Sequence, residues 1–257
     1  MQANHSELFS LSNKTFLITG GTRGIGQAIS LRFARAGAQV IANYLRNEET
    51  ARGLTAIAEK DGLAITLCRG DLTTEKGLEQ VVQALQPIAP VLSGLVYCAA
   101  TGVHRSVEDL TDRHFDWTFN LNVRAFFKLV KLLLPRFTRG SSILAVSSLG
   151  ASRALPYYSL VGASKGALEA LARHLALELA PRGIRVNVLT PGAVLTDVWK
   201  GIPDSDSRLA EAIHRTPQGR LVTAEEVACA AQFLCSDAAA GVVGHTLVLD
   251  GGAGITC

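Results

Sequence analysis

A tyrosine and a lysine lie seven residues apart in Pro156-Tyr157-Tyr158-Ser159-Leu160-Val161-Gly162-Ala163-Ser164-Lys165, at the head of an Ala/Leu-rich helical pattern. Seven residues at about 100° each come to nearly two full helical turns. Tyr158 and Lys165 are therefore expected on one helix face, about 10 Å apart along the axis, with Tyr157 about 80° off that face. An ammonium near a phenol favours the phenolate and lowers the tyrosine pKa. That moves a group of pKa about 10 toward use as a proton donor near neutral pH. Taken alone, the pair also fits a half-buried tyrosine and a surface lysine, so its meaning depends on the elements that position it.

Lys14-Thr15-Phe16-Leu17-Ile18-Thr19 reads as a buried strand. It runs into Gly20-Gly21-Thr22-Arg23-Gly24-Ile25-Gly26 and then an amphipathic helix to about Ala36, with Gln39 to Tyr44 as a second strand. A glycine-rich turn between strand and helix, inside a βαβ unit, is the setting of a dinucleotide site. Helix N-terminal amides would meet a pyrophosphate there, and glycines let the backbone approach it. Gly20, Thr22, Arg23, Gly24, Ile25 and Gly26 are the candidate contacts. After the second strand, Asn43-Tyr44-Leu45-Arg46 carries no carboxylate before Glu48. An acid there would repel a ribose 2′-phosphate, whereas Arg46 can pair with it and Arg23 adds a second cation. The expected cofactor is NADPH.

Further strand patterns at Ala64 to Cys68, Ser93 to Ala100, Ser141 to Ser147, Ile184 to Leu189 and Thr246 to Gly252 alternate with helical stretches. That alternation, without repeats or linkers, predicts an α/β fold: one Rossmann-type domain over residues 1–257, a doubly wound parallel sheet of about seven strands with helices on both faces. Residues 1–13 read as a short tail. Residues from about 197 to 220 are polar, with Gly201 and Pro203, and read as a mobile substrate lid or a plain surface excursion. The net charge of +3, with no concentrated Lys/Arg run, speaks against nucleic acid. Five cysteines, an odd count without a Cys-x2-Cys pair, speak against a disulfide framework or zinc site. There is no apolar signal core at the N-terminus and no apolar run of the roughly 18 residues that cross a bilayer, so a cytoplasmic protein without membrane spans is expected.

Thr19-Gly20-x3-Gly24-Ile25-Gly26 near the N-terminus resembles the short-chain dehydrogenase/reductase family, and the likeness extends over roughly residues 14 to 253. The resemblance implies Asp71-Leu72 against the adenine, although Asp71 reads equally well as the N-cap of the next helix. It implies Ala99 beside the cofactor ribose, at a strand end where the family usually has Asn-Asn-Ala-Gly and this chain has Tyr97-Cys98-Ala99-Ala100. It implies that Asn122 helps to hold a water chain to the active lysine, and that Ser148, ten residues before Tyr158, faces the substrate oxygen. Lys165 would bind the ribose hydroxyls. Pro191-Gly192-Ala193-Val194-Leu195-Thr196 matches the family's Pro-Gly-x-Val-x-Thr turn, which places Pro191, Gly192, Val194 and Thr196 at the nicotinamide. A homotetramer is implied as well.

Most of this family has Tyr-x3-Lys, but Val161 stands four residues before Lys165. Either catalysis is lost or the donor is Tyr158. Tyr-x6-Lys is similar to the enoyl-acyl-carrier-protein reductases. Tyr44-Leu45-Arg46, Ala99-Ala100-Thr101-Gly102-Val103, Phe115-Asp116-Trp117-Thr118 and Ser147-Ser148-Leu149-Gly150 resemble the NADPH-dependent class called enoyl-acyl-carrier-protein reductase III. A physical reason fits the longer step. A ketone takes hydride on the carbon that bears its oxygen. A 2-enoyl thioester takes it on C3 while charge develops on the C1 oxygen, two carbons further away. A donor set earlier on the chain suits that oxygen. The reading is NADPH-dependent reduction of a trans-2-enoyl thioester of acyl-carrier protein or coenzyme A, with Tyr158 as acid or oxyanion donor. An acidic carrier protein would be received by cations at the mouth, for which Arg153, Arg173 and Lys200 are candidates. The alternatives are an NADPH-dependent carbonyl reductase using Tyr157 or Tyr158, and a non-catalytic NADPH-binding sensor.

Overall fold

The computed structural model describes residues 5–196 and 205–255. Its frame is a seven-stranded sheet in the order β3-β2-β1-β4-β5-β6-β7, parallel throughout. The strands are β1 (Thr15–Thr19), β2 (Gln39–Tyr44), β3 (Ile65–Arg69), β4 (Leu92–Tyr97), β5 (Phe137–Val146), β6 (Arg185–Pro191) and β7 (Thr246–Leu249). β1 sits between β2 and β4, with Leu17 opposite Ile41 on one side and Leu95 on the other. The strand order reverses there. In an open α/β sheet the crevice at the strands' carboxyl ends at that reversal is where ligands bind.

Side chains alternate between the two faces of a strand. Leu17, Ile41, Leu95, Tyr97, Ile143 and Val186 point into one apolar layer. α4 (Glu75–Ala84), α6 (Phe126–Leu133) and α7 (Ser159–Leu179) cover it. Their neighbours Phe16, Ile18, Val40, Val96 and Leu144 point the other way, against α2 (Gly24–Arg35) and α9 (Ala224–Cys235). Phe16 and Phe33 meet edge to face, ring centroids 4.9 Å apart, and pin α2 onto β1. Caps set the helix ends. Asn47 accepts from the Thr50 N–H to start α3 (Glu48–Asp61), and Gly62 ends that helix in the left-handed region. Thr223 and Glu226 close a capping box on α9.

Two segments differ from their sequence reading. Residues 1–13 are more than a tail in the described part: α1 (His5–Leu8) is a single helical turn, Leu11 is fully buried, and the Leu11 N–H donates to the Ala36 carbonyl. The physical reason is that Leu11 fills the gap where α2 meets β2. Of the proposed lid, residues 205–215 form α8 (Ser205–Arg215) and turn back at Gly219, while 197–204, including Lys200, lie outside the described residues. α5 (Asp112–Phe119) continues through a π-helical stretch, Asn120–Ala125, into α6. Among the described residues no helix is long and apolar enough to cross a membrane.

Candidate active site

Three strand ends and one helix start converge at the sheet reversal. Gly20 follows β1 with φ +62°, and a Cβ there would lie 3.2 Å from the Ala99 backbone. A Cβ on Gly26 would overlap the Gly20 carbonyl oxygen. A side chain at Gly20 would press on the end of β4, and one at Gly26 would push α2 away from β1. Thr19 ties β1 to the end of β4: its Oγ1 accepts from the Cys98 and Ala99 N–H groups at 3.0 and 3.1 Å. Thr22 is buried in the turn, and Arg23 is the N-cap of α2 without a side-chain capping bond. The first-turn amides from Gly24 and Ile25 onward are thereby left to a ligand anion.

The other contacts of this half come from further along the chain. Arg46 is exposed just past β2, and neither it nor Arg23 has a carboxylate partner among the described residues. Asp71 is half-buried after β3, and its Oδ1 accepts from the Thr73 N–H and hydroxyl at 2.9 and 2.6 Å. Leu72 beside it is buried. The cap of α4 is Thr74, which accepts from the Gly77 N–H, so the N-cap reading of Asp71 is corrected: the aspartate closes a turn one step earlier. Pro191 ends β6, Gly192 donates to the Leu249 carbonyl at 2.9 Å, and buried Val194 pairs with Val222. This turn brings Thr196 to Gly24, where a Cβ would lie 3.5 Å from its methyl. Glycines without room for a Cβ, uncapped amides and two arginines without a carboxylate partner among the described residues fit a nicotinamide dinucleotide.

The catalytic candidates gather at the end of β5. Tyr158 is the N-cap of α7 and not part of its first turn (φ −119°, ψ 12°). Tyr157 before it holds φ +58°, a left-handed conformation that costs a residue other than glycine roughly 1–3 kcal/mol. That kink turns the Tyr158 ring inward, onto Gly150, where a Cβ would overlap it. The Tyr158 hydroxyl donates to Ser148 Oγ at 3.1 Å. Lys165, 5 % exposed, donates to the Val146 carbonyl at 2.8 Å. Tyr158, Ser148 and Lys165 thus meet around residues 146–148. Val161 is buried and packed on Gly102, so the position four before the lysine is filled by an apolar contact.

Known proteins place this arrangement. The family model for enoyl-(acyl carrier protein) reductase matches residues 20–254. The 1-cyclohexenylcarbonyl-CoA reductase of Streptomyces collinus is 31% identical over 99% of this chain and 92% of its own. The L-xylulose reductase of Caenorhabditis elegans is 34% identical over 95% of this chain and 97% of its own. A gluconate 5-dehydrogenase from Burkholderia cenocepacia, solved with NADP and tartrate, superposes with a TM-score of 0.90 at 26% identity, covering 99% of this chain and all of that one. The chain belongs to the short-chain dehydrogenase/reductase family. It is an oxidoreductase with the family's site for a nicotinamide dinucleotide.

In this short-chain dehydrogenase/reductase the electrostatics differ from the spacing argument. Burial pushes the Tyr158 phenol up, opposed by the hydrogen bond with Ser148. The expected lowering by Lys165 is not what the structure shows, because the ammonium is turned to the Val146 carbonyl. Lys165 itself is lowered to about 8 by burial, with Cys98 and Glu169 acting in the opposite direction. Asn122 is fully buried and its amide is spent on the protein. It donates to the Thr101 carbonyl and Ser164 Oγ and accepts from the Thr101 N–H, each at 2.9 Å. Its side chain therefore clamps the loop after β4 to α7, with no amide hydrogen left for a water chain. Tyr97 turns into the core, its ring 5.2 Å from Phe126 and its hydroxyl on the Leu121 carbonyl.

Four groups escaped the sequence reading. Glu169 accepts from Ser147 Oγ at 2.6 Å and from Thr190 Oγ1 at 3.1 Å, joining α7 to the ends of β5 and β6. Its place one helical turn after Lys165 was the available signal. His104 lies 5.2 Å from Tyr158, ring to ring, and Arg208 sits 5.2 Å over the Tyr157 ring. Nothing in the spacing of either points to the site. Thr19 was part of a motif, but its double bond to Cys98 and Ala99 depends on a pairing of distant strands. Of the candidate carrier-protein cations, Arg153 bonds the Gly254 carbonyl and Arg173 is exposed on α7.

Proposed function

We propose that this enzyme reduces the C2–C3 double bond of a trans-2-enoyl thioester with NADPH. The observation that carries the reading is the Tyr158 hydroxyl on Ser148, in a cleft where Val161 fills the family's usual tyrosine position. The cofactor, when bound, supplies the hydride. Tyr158 holds its proton toward the thioester oxygen and stabilises the enolate charge that develops there, and the enolate then takes a proton at C2 to complete the saturated thioester. Ser148 fixes the phenol's direction, and burial keeps water from competing for that oxygen. A phenol pushed up by burial stays protonated, which suits a donor and not a base. Lys165, once it leaves the Val146 carbonyl, is placed to hold the ribose hydroxyls. NADPH over NADH is supported by Arg23 and Arg46, which have no carboxylate partner among the described residues. The Streptomyces relative supports the thioester, since its name describes a ring alkene conjugated to the carbonyl of a CoA ester.

The xylulose reductase relative favours a second reading, reduction of a carbonyl. The two are separated by following NADPH absorbance with crotonyl and acetoacetyl N-acetylcysteamine thioesters side by side. The expected outcome is oxidation with the crotonyl ester; oxidation with the acetoacetyl ester alone overturns the enoyl reading. A homotetramer is also proposed. Phe115, Trp117 and Phe127 stand 45–48 % exposed on α5 and α6 and line one surface pocket. Sedimentation tests it.

A further inference from the structure

The cleft wall against Tyr158 contains groups that the proposed reduction does not employ. His104, in the loop between β4 and α5, lies against the phenol at an interplanar angle of 40°. Neither imidazole nitrogen has a hydrogen-bond partner among the described residues, although the residue is partly buried. Arg208 reaches in from α8 and rests on the Tyr157 ring. Its charge is close enough to lower the proton affinity of His104, adding to the effect of burial. Nearby arginines are neutralised: Arg215 pairs with Glu211 and Arg220 with Glu226. Arg208 has no carboxylate partner among the described residues. The groups that face His104 there are Tyr158 and Arg208, and no acid is among them.

Two side chains with unused donors thus stand on consecutive tyrosines, His104 on the candidate proton donor Tyr158 and Arg208, a permanent cation, on its neighbour Tyr157. A guanidinium seated on an aromatic ring keeps its N–H edge free for a planar anion. We propose that His104 and Arg208 form a subsite for a carboxylate carried on the acyl portion of the substrate. This rests on the enoyl-thioester reading of Tyr158, which fixes where the acyl group lies. The phosphate of a pantetheine arm hangs the arm's full length from the thioester carbonyl. His104 touches the ring of the very group that serves that carbonyl, so the anion within reach belongs to the acyl chain. A carboxylate there also stabilises protonated His104, so its binding strengthens as pH falls through the histidine range.

The test reads binding, not turnover. Glutaryl- and butyryl-N-acetylcysteamine, saturated thioesters whose acyl chains differ by a terminal carboxylate, are titrated calorimetrically into the NADP⁺-loaded enzyme at about pH 6 and about pH 8. The glutaryl ester is expected to bind roughly tenfold tighter at the lower pH, the scale of a charge-assisted bond. Arg208→Met removes the preference, Arg208→Lys keeps part of it, and His104→Phe removes its pH dependence. Melting temperature and NADP⁺ affinity confirm that each variant is folded. Equal affinities in the wild type, or a preference that survives Arg208→Met, overturn the subsite. A preference shown by butyryl-phosphopantetheine and not by the glutaryl ester overturns the acyl-chain assignment. If the crotonyl ester is not reduced while the glutaryl preference stands, the enoyl reading has failed and the anion site has not.

Discussion

The two ends of the cleft are built from different material. At the cofactor end the working parts are backbone: Gly20 against Ala99, Gly26 against the Gly20 carbonyl, and the bare amides of α2. At the substrate end they are side chains from separate segments: Tyr158 from the cap of α7, Ser148 after β5, His104 after β4 and Arg208 on α8. Backbone packing leaves one residue type at each position, so the first end cannot change without moving the sheet. Side chains on loops and caps can be exchanged while the sheet stays put. That contrast explains how relatives 31–34% identical over nearly the whole chain carry names as different as a cyclohexenylcarbonyl-CoA reductase and a xylulose reductase.

Substitutions at the two ends should fail in different ways. Gly26→Val is expected to do most damage, since its side chain would occupy the space of the Gly20 carbonyl. Overpacking of this kind costs about 3 kcal/mol or more, which lowers Tm by roughly 6–12 °C in a chain of this size, and NADPH binding is lost with it. Calorimetry and cofactor titration check both; retention of both would sink the backbone account. Tyr158→Phe should leave Tm and NADPH affinity in place, because the ring keeps its packing on Gly150 and His104. Crotonyl reduction should fall by roughly 10²–10⁴, the worth of a positioned acid. A variant that kept its rate would remove Tyr158 from the chemistry. Arg46→Glu lies between the two ends in kind, as a side chain serving the cofactor. It should lower the NADPH-over-NADH preference in kcat/KM by roughly tenfold to a hundredfold, with kcat little changed.

What the sequence disclosed follows the same division. The βαβ unit, the glycine turn, the Pro191 to Thr196 turn and the seven strands are local patterns, and each is written in consecutive residues. Tyr158 and Lys165 stood out by their spacing and Ser148 only by its resemblance to the family, and all three lie within a short stretch of chain. The direction of the Tyr158 pKa was not legible. It depends on how deeply the ring is buried and on which carbonyl the lysine prefers, and neither follows from helix geometry. His104 and Arg208 are more than a hundred residues apart in the chain. Their meeting is a property of the folded cleft alone. The Tyr157 kink was equally hidden, because tyrosine carries no signal for a positive φ.

The smallest effect is the most discriminating for the ground between the two ends. Lys165 touches both, and its folded-state pKa of about 8 lies below the ordinary lysine value of 10.5. The sign follows. Below about pH 8 the ammonium is charged in the folded and the unfolded chain alike, and the cost of burying it is borne in full. As pH rises from there toward the ordinary lysine value the unfolded chain binds the extra proton, so this group's contribution to stability improves while its charge is lost to function. The rate should therefore fall on the alkaline side of about pH 8 even as the fold holds. Two anionic partners oppose the lowering, but the Cys98 thiol is itself pushed up to about 11 by burial and is neutral at that pH. Glu169 is the charge that counts. Glu169→Gln keeps an oxygen to accept from Ser147 and Thr190, so the structural bonds survive while the charge goes. The alkaline limb of the pH–rate profile is expected to move to lower pH by about one unit or less, with Tm nearly unchanged. A limb that stays where it was would assign Glu169 to joining α7 to the sheet and nothing more.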